Sequence, residues 1–374
     1  MYLDRENNWL HGLALIGVRA ILGVDSQRGS PFNIQKSLHV PNFTPAEVEE
    51  LYRQYQEESG QQIEPAVVEK VYEVTRGQPG LVSWFGELLT EKYNPGAKQI
   101  ITLSTWELVW NIARFIEPNN TVMNLIAKAK MDPYQGFLTK LFTRPDVPFS
   151  FHTSTLNYLY MHGIIEPEIK QSSSGRFVNL CRFSSPFIQD CLYNAFSEEL
   201  VGDHWPLLPL EPLDDLADVF SGAELDLPAL LKRYKDYLAR LKVKGINPWK
   251  EQPRRKTDLH LTEAVGHFHL YAWLKEAIGR RCVVSPEFPT GNGKVDLHLR
   301  CANKRGIIEV KSFVDAHLAK EARTQAAEYA KQLGLGQVTV AMFVPLSDET
   351  VLEKLSVQQV ILAVQVTVVA IGWV

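Results

Sequence analysis

The chain has 374 residues, 45% of them hydrophobic and 22% charged, with a formal net charge of −4. That is the profile of a soluble globular protein, long enough for two or three domains at ~100–200 residues each and able to bury its cores without a metal or disulfide staple. The slightly acidic balance says nothing directly about nucleic acid; any basic surface must be local.

The four cysteines, Cys181, Cys191, Cys282 and Cys301, are scattered, with no C-x-x-C pair and no nearby histidine cluster. This argues against a structural zinc site and for a reducing compartment. The N-terminus lacks the basic start and long apolar core of a signal peptide. The most apolar stretch, Val360–Val374, is shorter than the ~20 residues of a membrane helix and rich in Val and Ile, so it reads as buried strand. A cytoplasmic protein with no membrane partner is expected.

In chain order, Leu13–Val18 reads as one buried strand, which must belong to a larger sheet because a lone strand cannot bury both faces. From Ser30 to Tyr93 the pattern is a small helical bundle. Thr44-Pro45-Ala46-Glu47 combines an N-cap, Pro at the first helical position and an acid three residues after the cap. Glu64-Pro65 opens a second helix, Gly77-Gln78-Pro79 ends it, and Leu81–Leu89 forms a third. From Thr102 to Leu200 the order is helix, helix, helix, hairpin, helix. The last helix before the hairpin spans Thr153–His162 and stops at Gly163. Two strand-like runs then flank the polar turn Ser172-Ser173-Ser174-Gly175, and Ser185-Pro186 starts a final helix. A short helix followed by such a hairpin is the pattern of a winged helix. Next comes a charge contrast: Glu211–Leu227 carries six acids and no Lys or Arg, whereas Leu231–Lys256 carries ten Lys or Arg against two acids. Leu231, Tyr234, Leu238 and Leu241 recur at helical spacing within the basic run, so an apolar face can pack while Lys242, Lys244, Arg254 and Arg255 meet phosphates.

The chemistry lies in Gly293–Ser312. Val295, Leu297 and Leu299 alternate with Asp296, His298 and Arg300, as a half-buried strand requires. After an Ala302–Arg305 link and Gly306, a strand Ile307–Lys311 points Glu309 and Lys311 to one face and Ile308 and Val310 to the other. A hairpin brings Asp296 near Glu309, giving two carboxylates and an ammonium on one face. Mg²⁺ takes one or two protein carboxylates and leaves its other positions to water and phosphate, and an adjacent ammonium can orient a water and offset developing charge. His267, His269 and His298 read more readily as packed or surface histidines than as ligands. Gly291-Asn292-Gly293-Lys294 lacks the Ser/Thr and the helix of a phosphate loop.

The spacing Asp296 … Glu309-Val310-Lys311 resembles the PD-(D/E)XK nuclease superfamily, with Val295 in place of the usual Pro. Asp315 can cap a helix to Leu333 in which Gln325 and Tyr329 share a face, similar to the Gln-x-x-x-Tyr motif of the exonuclease branch. A helix from Thr257/Asp258 carries Glu263, which resembles the extra acid of many members. The resemblance implies a Mg²⁺- or Mn²⁺-dependent nuclease, acting on DNA more readily than RNA, with Asp296, Glu309 and Glu263 at the metal and Lys311, Gln325 and Tyr329 beside it. Further upstream, the Leu13–Arg19 strand, Ser30-Pro31-Phe32-Asn33, the Phe43-Thr44 helix start and the Gly77-Gln78-Pro79 turn look like the end of an AAA- or STAND-type ATPase. The phosphate loop would lie before Met1, so no ATP hydrolysis is expected of this chain alone.

The expected architecture is multi-domain α+β: an N-terminal helical lid-like bundle and winged helix, then an α/β restriction-endonuclease-like core with a mixed sheet flanked by helices. Its parts are a truncated ATPase remnant with its lid (1–100), a winged helix (101–200), a charged helical linker (201–256) and a nuclease domain (257–374). The helix Thr153–His162 has no Lys or Arg, which favours a protein partner over base reading. Homodimerisation stays open, as do endo- against exonuclease action and DNA against RNA. The alternative to an enzyme is a regulatory protein that binds nucleic acid or protein and keeps an inactive nuclease fold.

Overall fold

The computed structural model describes residues 41–373 apart from 97, 144–146, 172–174, 202–209, 212–214, 251, 253, 255–261, 280, 288–295 and 314. The expected strand Leu13–Val18, Arg19, Ser30–Asn33, Arg255 and the helix start at Thr257/Asp258 lie outside the described residues. The protein is a mixture of helix and sheet in two units. One is built from the described residues up to Tyr134 with Pro148–Gln189, the other from Gln135–Val147 with Asp190 onward.

The first unit begins with α1 (Pro45–Ser59), whose start is a complete capping box. The Thr44 amide donates to Glu47 Oε2 at 2.7 Å and the Thr44 hydroxyl accepts from the Glu47 amide, satisfying donors that a helix start leaves orphaned. Between α2 (Pro65–Thr75) and α3 (Pro79–Glu87) the chain turns through Arg76 and Gly77 at φ 50° and 70°. Gly77 is obligatory on two counts: its left-handed φ, and a Cβ there would lie 1.9 Å from the Phe43 carbonyl oxygen. The same carbonyl-to-turn approach is held by the Phe43 amide donating to Gly77 O at 2.8 Å. α4 (Leu103–Phe115) and α5 (Asn120–Ala129) follow. Phe85 packs within 5.3 Å of Trp106 and 5.1 Å of Phe187, centring this core on aromatic rings.

Four helices precede the hairpin rather than the expected three, because α5 and α6 (Tyr134–Thr143) are separated at Pro133. Proline disfavours helical backbone in the residue before it and cannot donate into a continuing helix. α7 (Ser154–Met161) then leads through Gly163, at φ 75°, into antiparallel β1 (Ile165–Gln171) and β2 (Phe177–Phe183).

The second unit is a six-stranded mixed sheet between helices. Its strands are β3 (Val283–Glu287), β4 (Asp296–Cys301), β5 (Lys304–Ser312), β6 (Gln337–Val344), β7 (Gln358–Ile361) and β8 (Val364–Gly372), in the order β3-β4-β5-β6-β8-β7. β3, β4 and β5 are antiparallel neighbours, β5, β6 and β8 are parallel, and β7 closes the edge antiparallel. On one face lie α10 (Leu227–Val243) and α11 (Glu263–Ile278), with Leu227 over Gly306 and Gly266 against the Phe343 ring. On the other lie α12 (Ala316–Gln332), capped by Asp315, and α13 (Glu349–Leu355). Ala326, Ala327 and Ala330 of α12 meet Ile307, Val340 and Met342 there.

The charge contrast resolves into local pairing. α10 buries Leu230, Leu231, Tyr234, Tyr237 and Leu241, while Arg233 pairs with Asp218 at 2.7 Å and Arg240 with Glu211 at 3.4 Å. α11 is not amphipathic but buried almost all round. Besides facing the sheet, it meets α8 (Pro186–Val201) through Tyr271 and Asn194 at 2.6 Å, and α10 through His269 and Tyr234 at 2.7 Å.

Three expectations change. The hairpin link is only Ala302-Asn303, with Ala302 at φ 53°, so Lys304 and Arg305 belong to β5. The expected strand Gln359–Trp373 is a hairpin turning at Leu362-Ala363, φ 52° and 66°, a conformation normally signalled by Asn, Asp or Gly. Cys282, just before β3, and Cys301 of β4, 19 residues apart, form a disulfide, while Cys181 and Cys191 are buried and not disulfide-bonded. Among the described residues no helix is long and apolar enough to cross a membrane.

Candidate active site

The β4–β5 register sets Asp296 directly opposite Glu309. Side chains two apart on a strand share a face, so Asp296, His298 and Arg300 of β4 lie on the same face as Glu309 and Lys311 of β5. That face is the one covered by α12, since Ile307, two residues before Glu309, belongs to the cluster beneath Ala326 and Ala330. The backbone register fixes the place of Asp296 in this row.

Glu309 and Lys311 are 5% and 4% exposed and form an ion pair with each other. Both sit on a strand whose two faces are covered, next to Val340 and Met342 in the β5–β6 register. A charge there is costly unless paired, and the pairing is made within the site itself.

α12 runs back along β5 from the Lys311 end. Tyr329 is half-buried, its ring centroid 6.2 Å from that of His298, which puts it level with the His298–Ile307 pair. Gln325 is one helical turn nearer the helix start, ~6 Å along the axis. Two strand residues, from Ile307 to Glu309, cover a similar ~6.6 Å. Gln325 therefore comes level with Glu309, and it is exposed. The fold thus brings Asp296, Glu309, Lys311, Gln325 and Tyr329 to one face of the sheet.

The other candidates lie elsewhere. Glu263, half-exposed, opens α11 in the opposite layer, near the Phe343 end of the sheet. Lys242 and Lys244 are exposed at the end of α10, in that same layer. Arg254 lies over the Trp373 ring at 4.8 Å. His267 pairs with the Tyr193 hydroxyl, and His269 is fully enclosed beside Tyr234 and Trp249. Burial pushes the His269 imidazole down to about 3, so it is a neutral core group. His298, by contrast, stands in the row itself, and so do Arg300 and Arg305, opposite each other one level further on. The strand alternation contained His298 and Arg300; the pairing register that adds Arg305 could not be read until the link was known to be two residues.

Among the described residues no group of three or more His, Cys, Asp or Glu converges as a metal cage. A hard cation such as Mg²⁺ does not require one, since one or two carboxylates with water and phosphate complete its shell. Glu309, a carboxylate nearly withdrawn from water with Asp296 opposite it in register, fits that limited demand.

Residues 254–345 match a family described as Domain of unknown function (DUF8371). This stretch holds α11, β3 to β5, α12 and β6, and therefore the whole row. No curated protein matches the chain, and no solved structure does.

Proposed function

We propose that the second unit is a metal-dependent nuclease of the PD-(D/E)XK type that hydrolyses phosphodiester bonds, of DNA in the first instance. The observation carrying this is the placement of Asp296 opposite Glu309, with Lys311 ion-paired to Glu309 on a buried face under the helix bearing Gln325 and Tyr329. The element order from α11 through β6, with three antiparallel strands followed by a helix and a parallel strand, supports the same reading.

In this reading Asp296 and Glu309 hold Mg²⁺ or Mn²⁺. When bound, the ion lowers the pKa of a water and neutralises phosphate charge. Lys311 holds the attacking water by its oxygen and offsets negative charge on the phosphate as it builds, because its ammonium is fixed beside Glu309. Tyr329 and Gln325 flank the row and position the strand being cut. Low exposure around Glu309 and Lys311 keeps bulk water from screening these charges.

For the first unit we propose the lid and winged helix of an ATPase-derived module, with a protein rather than DNA as the partner of α7. Gly77 closing on Phe43 agrees with the lid turn. The outward side of α7 is itself covered by rings: Tyr158 stacks on Tyr134 at 4.0 Å and Tyr160 meets Phe151 at 5.0 Å. That leaves little for a groove to receive. The partner would be regulatory, and a non-catalytic binding role for the whole chain is the second reading, favoured by the ion pair that Glu309 and Lys311 make with each other.

The test is cleavage of linear, circular and single-stranded DNA with Mg²⁺ or Mn²⁺ by wild type, Glu309→Ala and Lys311→Ala. Metal-dependent cutting lost in both variants is expected. Cutting that survives in both variants, or its absence from every DNA and RNA substrate, would overturn the proposal and leave the binding role.

A further inference from the structure

The Cys282–Cys301 disulfide ties β3 to β4 one step beyond their Val283–Arg300 pair. Asp296 lies at the other end of the same strand pair, opposite Glu287. The row of the disulfide continues to Lys304, which stands opposite Cys301 in the β4–β5 register. Lys304 Nζ donates to the Phe220 carbonyl, and the Arg281 guanidinium lies over the Phe220 ring at 5.7 Å. The bond and the segment ahead of α10 therefore meet at the end of the strands farthest from the carboxylates.

β3 is the strand that the bond secures. It forms one edge of the sheet, pairs with β4 alone, and contains Pro286, which has no amide to donate. Closing a loop over a sequence separation of 19 residues restricts the unfolded chain. For a unit of this size that restriction corresponds to about 6–12 °C in the melting midpoint. Cys282 and Cys301 are 5% and 6% exposed, whereas Val283 beside them is 48% exposed, so a thiol reaches the sulfurs when the start of the edge strand frays. Once the bond is open, Cys301 has Lys304 opposite it in register, and a neighbouring cation favours the reactive thiolate. For a chain expected in a reducing compartment, a disulfide at such a place is a responsive bond rather than a permanent one.

We propose that Cys282 and Cys301 form a redox-reversible staple on the strand pair that carries Asp296, made and broken by exchange with a small-molecule thiol and its disulfide. In the forming direction the Cys301 thiolate attacks one sulfur of a disulfide such as oxidised glutathione and expels one glutathione thiolate. The Cys282 thiolate then attacks the Cys301 sulfur of that mixed disulfide and expels the second. Two protein thiols are oxidised, two electrons pass to the glutathione disulfide, and its halves leave as thiols carrying the two protons. Reduction runs the same steps backwards and leaves β3 joined to β4 without a covalent tie. A looser β3 supports β4, and with it Asp296, less firmly. That last consequence rests on the nuclease reading; the redox cycle does not.

The experiment equilibrates the full chain in mixtures of reduced and oxidised glutathione, quenches with acid, alkylates the thiols and measures the Cys282 and Cys301 peptides by mass spectrometry. The bridged fraction should pass from nearly all to nearly none across these mixtures, and the reduced chain should melt about 6–12 °C lower. Cys282→Ala/Cys301→Ala should melt alike in both buffers, whereas Cys181→Ala/Cys191→Ala should keep the difference. Where DNA is cut, the reduced chain should cut it more slowly. A bridge that never forms in excess oxidised glutathione would overturn the proposal, and so would one that survives a large excess of reduced glutathione. Equal midpoints for the two states of wild type would overturn it as well. Redox cycling with no cleavage in either state would keep this proposal and remove the nuclease reading. Metal-dependent cleavage by a chain whose cysteines do not cycle would do the reverse.

Discussion

Replacing Lys311 by Met tests whether the site is held at the expense of stability. Glu309 is 5% exposed and its ammonium partner 4%, with Val340 and Met342 as register neighbours. Removing the ammonium leaves a carboxylate that water barely reaches, and a buried pair broken on one side costs about 3–5 kcal/mol. For a unit of this size, each kcal/mol shifts the melting midpoint by about 2–4 °C, so a fall of roughly 6–20 °C is expected. Glu309→Gln/Lys311→Met removes both charges and should recover most of that loss, because neither group is then left buried and unpaired. Urea unfolding of the three proteins, followed by circular dichroism with thermal melts alongside, reads this directly. If the ion is held by Asp296 and Glu309, Mg²⁺ should raise the midpoint of Lys311→Met more than that of wild type, since the ion replaces the missing positive charge. A single variant within about 0.5 kcal/mol of wild type, or a double variant no more stable than the single, would refute the argument from burial.

Three further outcomes follow from the fold. Leu362→Asn/Ala363→Gly places residues suited to positive φ in the β7–β8 turn, where φ is 52° and 66°; a gain of about 1–2 kcal/mol is expected in thermal melts. Gly77→Ala should cost about 2 kcal/mol or more, read by the same melts, since its Cβ would meet the Phe43 carbonyl and its φ is left-handed. His269 is neutral when folded, its imidazole pushed from 6.5 down to about 3, so the unfolded chain binds the extra proton between those values. Its contribution is therefore complete above pH 6.5 and lost as pH falls towards 3. Stability should decline by up to about 1.4 kcal/mol per pH unit in that window, and His269→Leu should flatten that decline in urea titrations.

How far the fold could be read from the sequence depended on where each signal was stored. Capping chemistry is local, so Thr44-Pro45-Ala46-Glu47, Asp315 and the Gly77-Gln78-Pro79 turn each marked a real boundary. Strand alternation is also local, and Leu297 to Cys301 follows it residue by residue. The failures were turns whose positive-φ residues are not Asn, Asp or Gly. Leu362-Ala363 hid a hairpin inside one apolar run, and Ala302-Asn303 hid a two-residue link. Long-range pairing was illegible: nothing in the spacing of Cys282 and Cys301 announced adjacent strands. The histidines of α11 read as packed or surface groups, and the sequence alone did not decide between the two. In the structure, helices on both sides and the sheet leave it none.

The site residues combine both kinds of signal. Glu309-Val310-Lys311 is visible as a pattern, but a charged pair on an exposed strand face would look the same, and such faces are common. What distinguishes it is burial, which only the packing of α12 over β5 supplies. Around that pair the strand contributes Ile308 and Val310, and the next strand Val340 and Met342, all apolar. A fold under selection for stability alone would place aliphatic residues at positions 309 and 311, as it does at 307, 308 and 310. Departures from local consistency of this kind are expected where function requires them. Here the departure coincides with a second acid in register, Asp296, and with a helix that sets Tyr329 over the adjoining rung. The cost of burying charge is thus concentrated in a single row, the one on which the proposed chemistry depends.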